Sequence, residues 1–227
     1  MSDSSEQTEH RYCPLPPDGF CKAALPAFEL NLASTQLLRI HRTARHPIHY
    51  NRRSTSPDVF RFDAPDDRYG VLYAALSFDV CMAETVMRGR YQGKDVRIPH
   101  LIAESDITER SVALLGFEEA RVLRLADLTQ PLWHLGFDTR VLAVGDYATP
   151  NLWGAAIHDN PANFDGIYFV SRFANQPSIG IFSDRAVLVR RGESIPLAAY
   201  PELAPFLDRF NIGLADPTGD DWRAETK

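Results

Sequence analysis

One stretch of the sequence, residues 61–89, changes its hydrophobic period at a single serine. Before Ser77, the run VLYAAL is continuous and apolar, as in a buried β-strand. After Ser77, apolar residues recur at spacings of three and four, as on one face of an α-helix, at Phe78, Cys81, Met82 and Val86. Serine is a preferred N-cap residue, and Asp79 in the first turn suits the helix dipole. The stretch therefore predicts a strand over 70–76 that leads directly into a helix over 78–88.

Similar patterns of period two or of helical spacing occur along the rest of the chain. QLLRIHR at 36–42 alternates apolar and polar residues, which predicts a strand. Further strands are predicted at 98–104, 111–116, 121–125, 166–170, 178–182 and 186–190, and helices at 131–137, 149–159 and 200–208. Because helices occur among short strands without regular βαβ spacing, the expected fold class is α+β instead of a doubly wound sheet.

The two ends of the chain differ from its middle. Residues 1–28 are polar and then proline-rich, which predicts an irregular N-terminal arm. Residues 29–195 carry the strand and helix patterns and are expected to form one domain. Residues 196–227 are expected to form a C-terminal helix and tail that pack on the same domain.

Composition excludes several classes of protein. A chain of 227 residues with 44% hydrophobic residues can bury a sizeable core, and its formal net charge of −6 disfavours general nucleic-acid binding. No apolar run reaches the about 18 residues of a membrane span, and the polar N-terminus lacks a signal-peptide pattern. The three cysteines lack CxxC spacing, so neither disulfides nor zinc are indicated. We therefore expect a cytoplasmic protein that contacts neither membranes nor nucleic acid directly.

A basic segment stands out against this acidic background. Residues 39–53, RIHRTARHPIHYNRR, contain five arginines and three histidines and no acidic residue. Arginine pairs planar donors with phosphate oxygens, so the segment is suited to capture an anion, although a solvated basic loop has the same composition. His41, His46 and His49 have no acidic or cysteine neighbour in sequence, and no metal is expected.

Three further residues are ambiguous when each is considered alone. Tyr73 lies in an apolar strand and is most simply a core aromatic residue. Glu84 lies away from the apolar stripe of its helix, which is typical of a solvated side chain. Ser171 follows the run GIYFV, as an ordinary residue at the end of a strand would. None of them indicates a function without the others.

In their order along the chain, these residues resemble the RES-domain family, the toxins of a class of bacterial toxin–antitoxin modules. LLRIHR is similar to the family's opening strand, with Arg39 as its first arginine. RFDAPDDRYGVLYAALSFDVCMAETVMR is similar to the following strand and helix, with Arg61, Tyr73 and Glu84 at the family's arginine, tyrosine and glutamate. FDGIYFVSRF is similar to the closing motif, with Ser171 as the serine.

The resemblance implies a fold and an activity. The implied fold is similar to that of ADP-ribosyltransferases, with small antiparallel sheets around an NAD-binding cleft and flanking helices. The implied activity consumes NAD⁺ as a substrate by cleaving its nicotinamide–ribose bond. Glu84, Arg39 and Ser171 are the implied catalytic residues, and Arg39, Arg61, Tyr73 and Ser171 are the implied NAD-binding residues.

Several alternatives stay open at this point. Water or phosphate as acceptor of the ADP-ribose gives an NAD⁺-degrading enzyme, and a protein acceptor gives a mono-ADP-ribosyltransferase. A catalytically silent module that keeps only the scaffold is a third alternative. The resemblance also implies a cognate antitoxin that covers the cleft, with a homodimer of the toxin possible inside such a complex.

Overall fold

The computed structural model describes residues 13–91, 93–95, 97, 100–118 and 121–215. The strands within this part are β1 Ala27–Asn31, β2 Leu37–Arg42, β3 Val71–Ala75, β4 His100–Ala103, β5 Arg110–Gly116, β6 Val122–Asp127, β7 Gly166–Val170, β8 Pro177–Phe182, β9 Val189–Arg190, β10 Ile195–Pro196 and β11 Ile212–Ala215. The α-helices are α1 Phe78–Thr85, α2 Glu104–Thr108, α3 Arg140–Ala143, α4 Ala148–His158 and α5 Leu203–Arg209. None of the helices in the described ranges is long and apolar enough to cross a membrane.

Most of the strands join one large sheet. Its strand order is β1-β6-β7-β8-β3-β2-β5-β10, and β9 also pairs with β5. All of these pairings are antiparallel except that of β6 with β7, which are connected through α3 and α4. A second sheet contains the parallel pair β4 and β11. Mostly antiparallel strands with irregularly placed helices confirm the α+β class.

The core lies on both faces of the large sheet. Trp153 of α4 packs with Phe62 and Phe164 in one cluster of fully buried side chains. Phe78 and Met82 of α1 belong to a second cluster, which also contains residues of α5. The apolar stripe predicted from the spacing on α1 is therefore buried, and this burial holds the helix against the sheet. A third cluster contains the alternate apolar residues of β3 and lies on the opposite face of the sheet from the first two.

The predicted strand-to-helix unit forms, although the helix ends at Thr85 instead of residue 88. β3 and α1 are separated by Leu76 and Ser77 only. The Ser77 hydroxyl caps the helix by accepting a hydrogen bond from the Val80 amide at 3.4 Å. The predicted strands at 36–42, 111–116, 121–125, 166–170 and 178–182 and the helix at 149–159 also form, with ends shifted by one or two residues.

Other local predictions were wrong or incomplete. The predicted helix at 131–137 is a 3₁₀ turn at Trp133–Leu135, which ends at Gly136 with a left-handed φ of 80°. The strand predicted at 186–190 is confined to its last two residues. β1 lies mostly beyond the predicted arm and pairs with β6 at the sheet edge, where its Leu30 is buried. Residues 1–12 of the arm, 98–99 of the predicted strand at 98–104 and the tail from 216 onward lie outside the described residues.

Candidate functional site

A cleft of about 360 Å³ lies where β2, β3 and α1 meet the basic segment. This volume falls within the range typical of small-molecule sites. Four of the five residues proposed from the sequence line the cleft, namely Arg39, Arg61, Tyr73 and Glu84. The residues come from separate parts of the chain, and the pairing of β2 with β3 brings the first and third of them to neighbouring strands.

Glu84 lies on the last turn of α1 and faces Ser171, which directly follows β7. The Ser171 hydroxyl donates to Glu84 Oε1 at 2.6 Å. The same hydroxyl oxygen accepts hydrogen bonds from the amides of Phe173 and Ala174 at 3.2 and 3.1 Å. Because both main-chain donors occupy the oxygen's lone pairs, the single hydroxyl proton is directed at the carboxylate.

The two members of this pair differ in exposure. Glu84 is half-buried and lines the cleft, whereas the helical pattern alone indicated a solvated residue. Ser171 is fully buried and is not part of the lining. Its side chain therefore contacts the cleft lining through its hydrogen bond to Glu84.

Arg39 of β2 supplies a positive charge inside the cleft. Its Nη1 donates to the His49 carbonyl at 2.9 Å, and none of the ion pairs in the described part of the chain involves it. Burial lowers the pKa of Arg39 to about 10, which leaves the guanidinium protonated at neutral pH. A half-buried cation without a carboxylate partner among the described residues is suited to bind an anionic ligand.

Arg61 is more enclosed than Arg39 and bonds mainly to the chain itself. Its side chain is buried, and Nη1 donates to the carbonyls of Val141 and Val144 at 2.9 and 3.2 Å. Its guanidinium carbon lies 4.9 Å from the ring centroid of Tyr147. Burial lowers the pKa of Arg61, and the neighbouring Tyr147 and Glu84 act against that shift.

Tyr73 presents its ring to the cleft while its hydroxyl bonds inward. The hydroxyl accepts from the Phe62 amide at 2.8 Å and donates to Asp63 Oδ1 at 3.3 Å. Burial and the adjacent Asp63 raise the pKa of Tyr73 well above its usual value. The hydroxyl is thus a neutral structural link between β3 and the segment that carries Arg61.

The structure divides the basic segment into two groups. Arg45 and His49 line the cleft with Arg39. Burial lowers the pKa of His49, with a further contribution from Arg39, and this shift favours the neutral imidazole. Arg52 instead donates to the Asp67 carbonyl and the Ser183 hydroxyl, and Arg53 donates to the Ala64 carbonyl and the Asn151 side chain. The second group holds loops together outside the cleft.

The cleft as a whole is positive in an acidic protein. Among the described residues its lining includes two carboxylates, Asp58 and Glu84, and six arginines, Arg39, Arg42, Arg45, Arg61, Arg88 and Arg110. A concave surface lined by one sign of charge concentrates the field and attracts ligands of opposite charge. The excess of arginines over carboxylates favours an anionic ligand, with the Glu84 carboxylate among the groups that face it.

Four residues near the cleft were not proposed from the sequence. They are Phe60, Asp63, Arg88 and Tyr147. Arg88 lies four residues after Glu84, so helical spacing could have indicated that the two share a face. The Arg88 Nη2 donates to the Tyr147 hydroxyl across 59 positions of sequence, and no local pattern marks that contact.

Comparisons with known proteins agree with this architecture. A chain in the crystal structure of the M. tuberculosis MbcT–MbcA toxin–antitoxin complex matches with a TM-score of 0.57 and 17% identity, over 79% of this chain and 92% of that chain. At this identity the likeness shows a shared fold. No match was found among curated proteins. The family model described as RES domain matches residues 36–199, which is well over half of the sequence, and this chain belongs to the RES domain family.

Proposed function

We propose that this chain is a RES toxin that consumes NAD⁺ by cleaving the nicotinamide–ribose bond, through hydrolysis or phosphorolysis. The observation that carries the proposal is the Glu84 carboxylate, which Ser171 orients at 2.6 Å and which faces a cleft whose lining includes six arginines. NAD⁺ combines a pyrophosphate, which arginines bind, with a ribose carbon that becomes positive during cleavage. The cleft offers the matching charge to both parts.

Cleavage of the nicotinamide–ribose bond requires a carboxylate that stabilises positive charge, and it does not require a strong general acid to protonate the leaving group. When the bond between the ribose C1′ and the nicotinamide nitrogen breaks, both electrons go to the nitrogen, and nicotinamide leaves as a neutral molecule. The ribose develops oxocarbenium character, which a nearby carboxylate stabilises electrostatically, as in glycoside cleavage. An oxygen of water or phosphate then bonds to C1′ and loses its proton to solvent. Glu84 is the residue suited to this stabilisation.

The remaining residues are suited to hold the substrate. Arg39 has no carboxylate partner in the described part of the chain, so its charge is available for the pyrophosphate. The Tyr73 ring forms part of the cleft wall and can pack against a ring or a ribose. Ser171 acts on the reaction by fixing the orientation of Glu84.

A partner protein is part of the proposal. The fold neighbour was crystallised in a toxin–antitoxin complex. A basic cleft of this kind can be closed by an acidic or carboxylate-ended peptide segment, which would occupy the arginine donors. We therefore expect a cognate antitoxin that covers the cleft.

The test is incubation of the purified protein with NAD⁺, with and without phosphate, followed by identification of the products. Release of nicotinamide with free ADP-ribose indicates hydrolysis, and a phosphorylated ADP-ribose indicates phosphorolysis. Incorporation of the ADP-ribose into added protein extract indicates the transferase alternative. Unchanged NAD⁺ in all three conditions rejects the proposal, and the Glu84→Gln variant controls for contaminating activity.

A further inference from the structure

Arg88 occupies an unusual position at the edge of the cleft, just after the end of α1. Its guanidinium carbon lies 5.2 Å from the ring centroid of Phe60 and 5.5 Å from that of Tyr147. Its Nη2 also donates to the Tyr147 hydroxyl. Two ring contacts and one hydrogen bond fix both the place and the orientation of this cation.

Most N–H donors of the Arg88 guanidinium have no hydrogen-bond partner among the described residues. A guanidinium that packs on ring faces directs its N–H groups outward in its own plane, where they can meet an anion. None of the ion pairs between described residues includes Arg88, and Tyr147 is the only side chain in that part of the chain to which it donates. The side chain is partly exposed and lines the cleft.

Arg61 contrasts with Arg88 in these respects. The Arg61 Nη1 bonds to two main-chain carbonyls, and the side chain is 8% exposed. Its contacts with Val141, Val144 and Tyr147 fix it within the cleft wall, where it supports the ring on which Arg88 rests. Arg61 thus has the contacts of a positioning residue, and Arg88 has those of a ligand-binding residue.

We propose that Arg88 is the arginine that binds a phosphate group of the ligand near Glu84, and that Arg61 holds Tyr147 and the 141–144 segment in place for it. The pyrophosphate of NAD⁺ and inorganic phosphate share the required chemistry. The identification of this ligand as a substrate rests on the proposed function, whereas the anion site itself does not.

Direct titration with inorganic pyrophosphate tests the anion site without any need for turnover. We expect Arg88→Gln to weaken binding roughly ten- to a hundredfold, since a hydrogen-bonded charge pair is lost. Arg88→Lys keeps the charge without the planar stacking and should lie between that variant and the unmutated chain. Arg124→Gln is the matched control, because Arg124 also packs on an aromatic ring, 5.3 Å from the centroid of Phe164, and is in none of the ion pairs between described residues, but lies outside the cleft lining.

Enzyme kinetics then distinguish the two sources of phosphate. If Arg88→Gln has a higher KM for NAD⁺ than the unmutated chain in phosphate-free buffer, Arg88 binds the pyrophosphate of NAD⁺. If its KM for NAD⁺ is unchanged but added phosphate no longer raises its turnover, Arg88 binds the acceptor phosphate. Equal pyrophosphate binding by the unmutated chain, Arg88→Gln and Arg88→Lys overturns the proposal, as does a lack of any binding by the unmutated chain. Pyrophosphate binding that depends on Arg88 in a protein that leaves NAD⁺ intact would instead reject only the proposed function.

Discussion

At the scale of single residues, the Glu84 carboxylate is the group on which the chemistry depends. A Glu84→Gln side chain keeps an oxygen that can accept from Ser171, so the fold and NAD⁺ binding should be preserved. The amide lacks the negative charge that stabilises the oxocarbenium-like state, and turnover should fall by roughly a hundredfold or more. NAD⁺ consumption and thermal unfolding of the two proteins check this, and an unchanged turnover rate would show that the assignment is wrong.

Ser171 should behave as a positioning residue. Because it is buried outside the lining, Ser171→Ala should lower kcat roughly tenfold or more while leaving KM for NAD⁺ nearly unchanged. Loss of the hydroxyl also leaves the amides of Phe173 and Ala174 without their acceptor, at a cost of about 1–3 kcal/mol in the free energy of unfolding. Steady-state kinetics at a temperature where the variant is folded decide the matter, and a raised KM with normal kcat would indicate direct substrate contact instead.

Asp63 gives the protein a stability that depends on pH. Burial raises the pKa of Asp63 to about 6, although the Phe60 amide and Asn51 side chain donate to it at 2.7 and 2.6 Å. The folded state therefore binds its proton more tightly than the unfolded state, whose pKa is about 3.9. The contribution of Asp63 to the free energy of unfolding is fully present below about pH 4 and is lost as the pH rises through about 6.

Asp63→Asn should remove this loss of stability at higher pH, because an amide does not ionise. Its oxygen can still accept from the Phe60 amide and the Asn51 side chain, and the Tyr73 hydroxyl, which donates to Asp63 Oδ1, can instead accept from the amide nitrogen. We expect the variant to gain about 1–3 kcal/mol relative to the unmutated chain between pH 4 and pH 7. Urea unfolding at several pH values measures the difference. Parallel stability curves for the two proteins across this range would contradict the assignment.

At the scale of elements, α4 holds the segment that carries Arg61. The Asn151 side chain donates to the carbonyls of Phe60 and Arg61 at 2.7 and 3.0 Å. Gly154, one turn later, lets the helix approach the backbone of Phe62 closely, since an added Cβ would lie 2.9 Å from its carbonyl oxygen. One face of α4 thereby sets the position of the cleft wall.

Gly154→Ala should therefore destabilise the protein by about 1–3 kcal/mol, because the added methyl group overpacks this contact. The effect should exceed the gain of up to about 1 kcal/mol that alanine brings to a helix. Gly145→Ala is the control, since its added Cβ would lie 3.8 Å from Arg172 Nη1, an ordinary van der Waals distance. Chemical denaturation of both variants tests the expectation, and equal stabilities would contradict it.

At the scale of the whole molecule, a basic cleft lies in a chain whose formal net charge is −6. Under the proposed function, expression of this chain alone should arrest bacterial growth and lower cellular NAD⁺, because the cleft is uncovered. Co-expression of the protein encoded beside it should restore both through a stable complex. Growth curves and NAD⁺ assays measure the effect, with Glu84→Gln as the harmless control.

Normal growth and normal NAD⁺ at high expression of the unmutated chain would reject the toxin role. Such a result would favour the catalytically silent module. Arrest by Glu84→Gln as well as by the unmutated chain would point to toxicity that does not depend on catalysis. The induction assay therefore separates the alternatives that the sequence left open.

The sequence alone determined the local features of this protein. The change of period at Ser77 predicted both the strand and the capped helix, because hydrophobic spacing and capping act over a few residues. The order of the motifs around Arg39, Glu84 and Ser171 indicated the family, which the match over residues 36–199 confirms. The turn at Trp133–Leu135 escaped prediction because a single left-handed glycine ended what otherwise had the pattern of a helix.

The tertiary structure decided which side chains meet. Glu84 and Ser171 are 87 positions apart and come into contact because α1 follows β3, Ser171 follows β7, and β8 lies between those two strands in the sheet. In the basic segment, sheet pairing directs Arg39 into the cleft, whereas Arg52 bonds to distant loops, although composition treats the two arginines alike. Arg88 finds Phe60 and Tyr147 only after the chain has closed around the cleft. Such contacts depend on strand order over long separations, whereas hydrophobic period and capping are set by neighbouring residues.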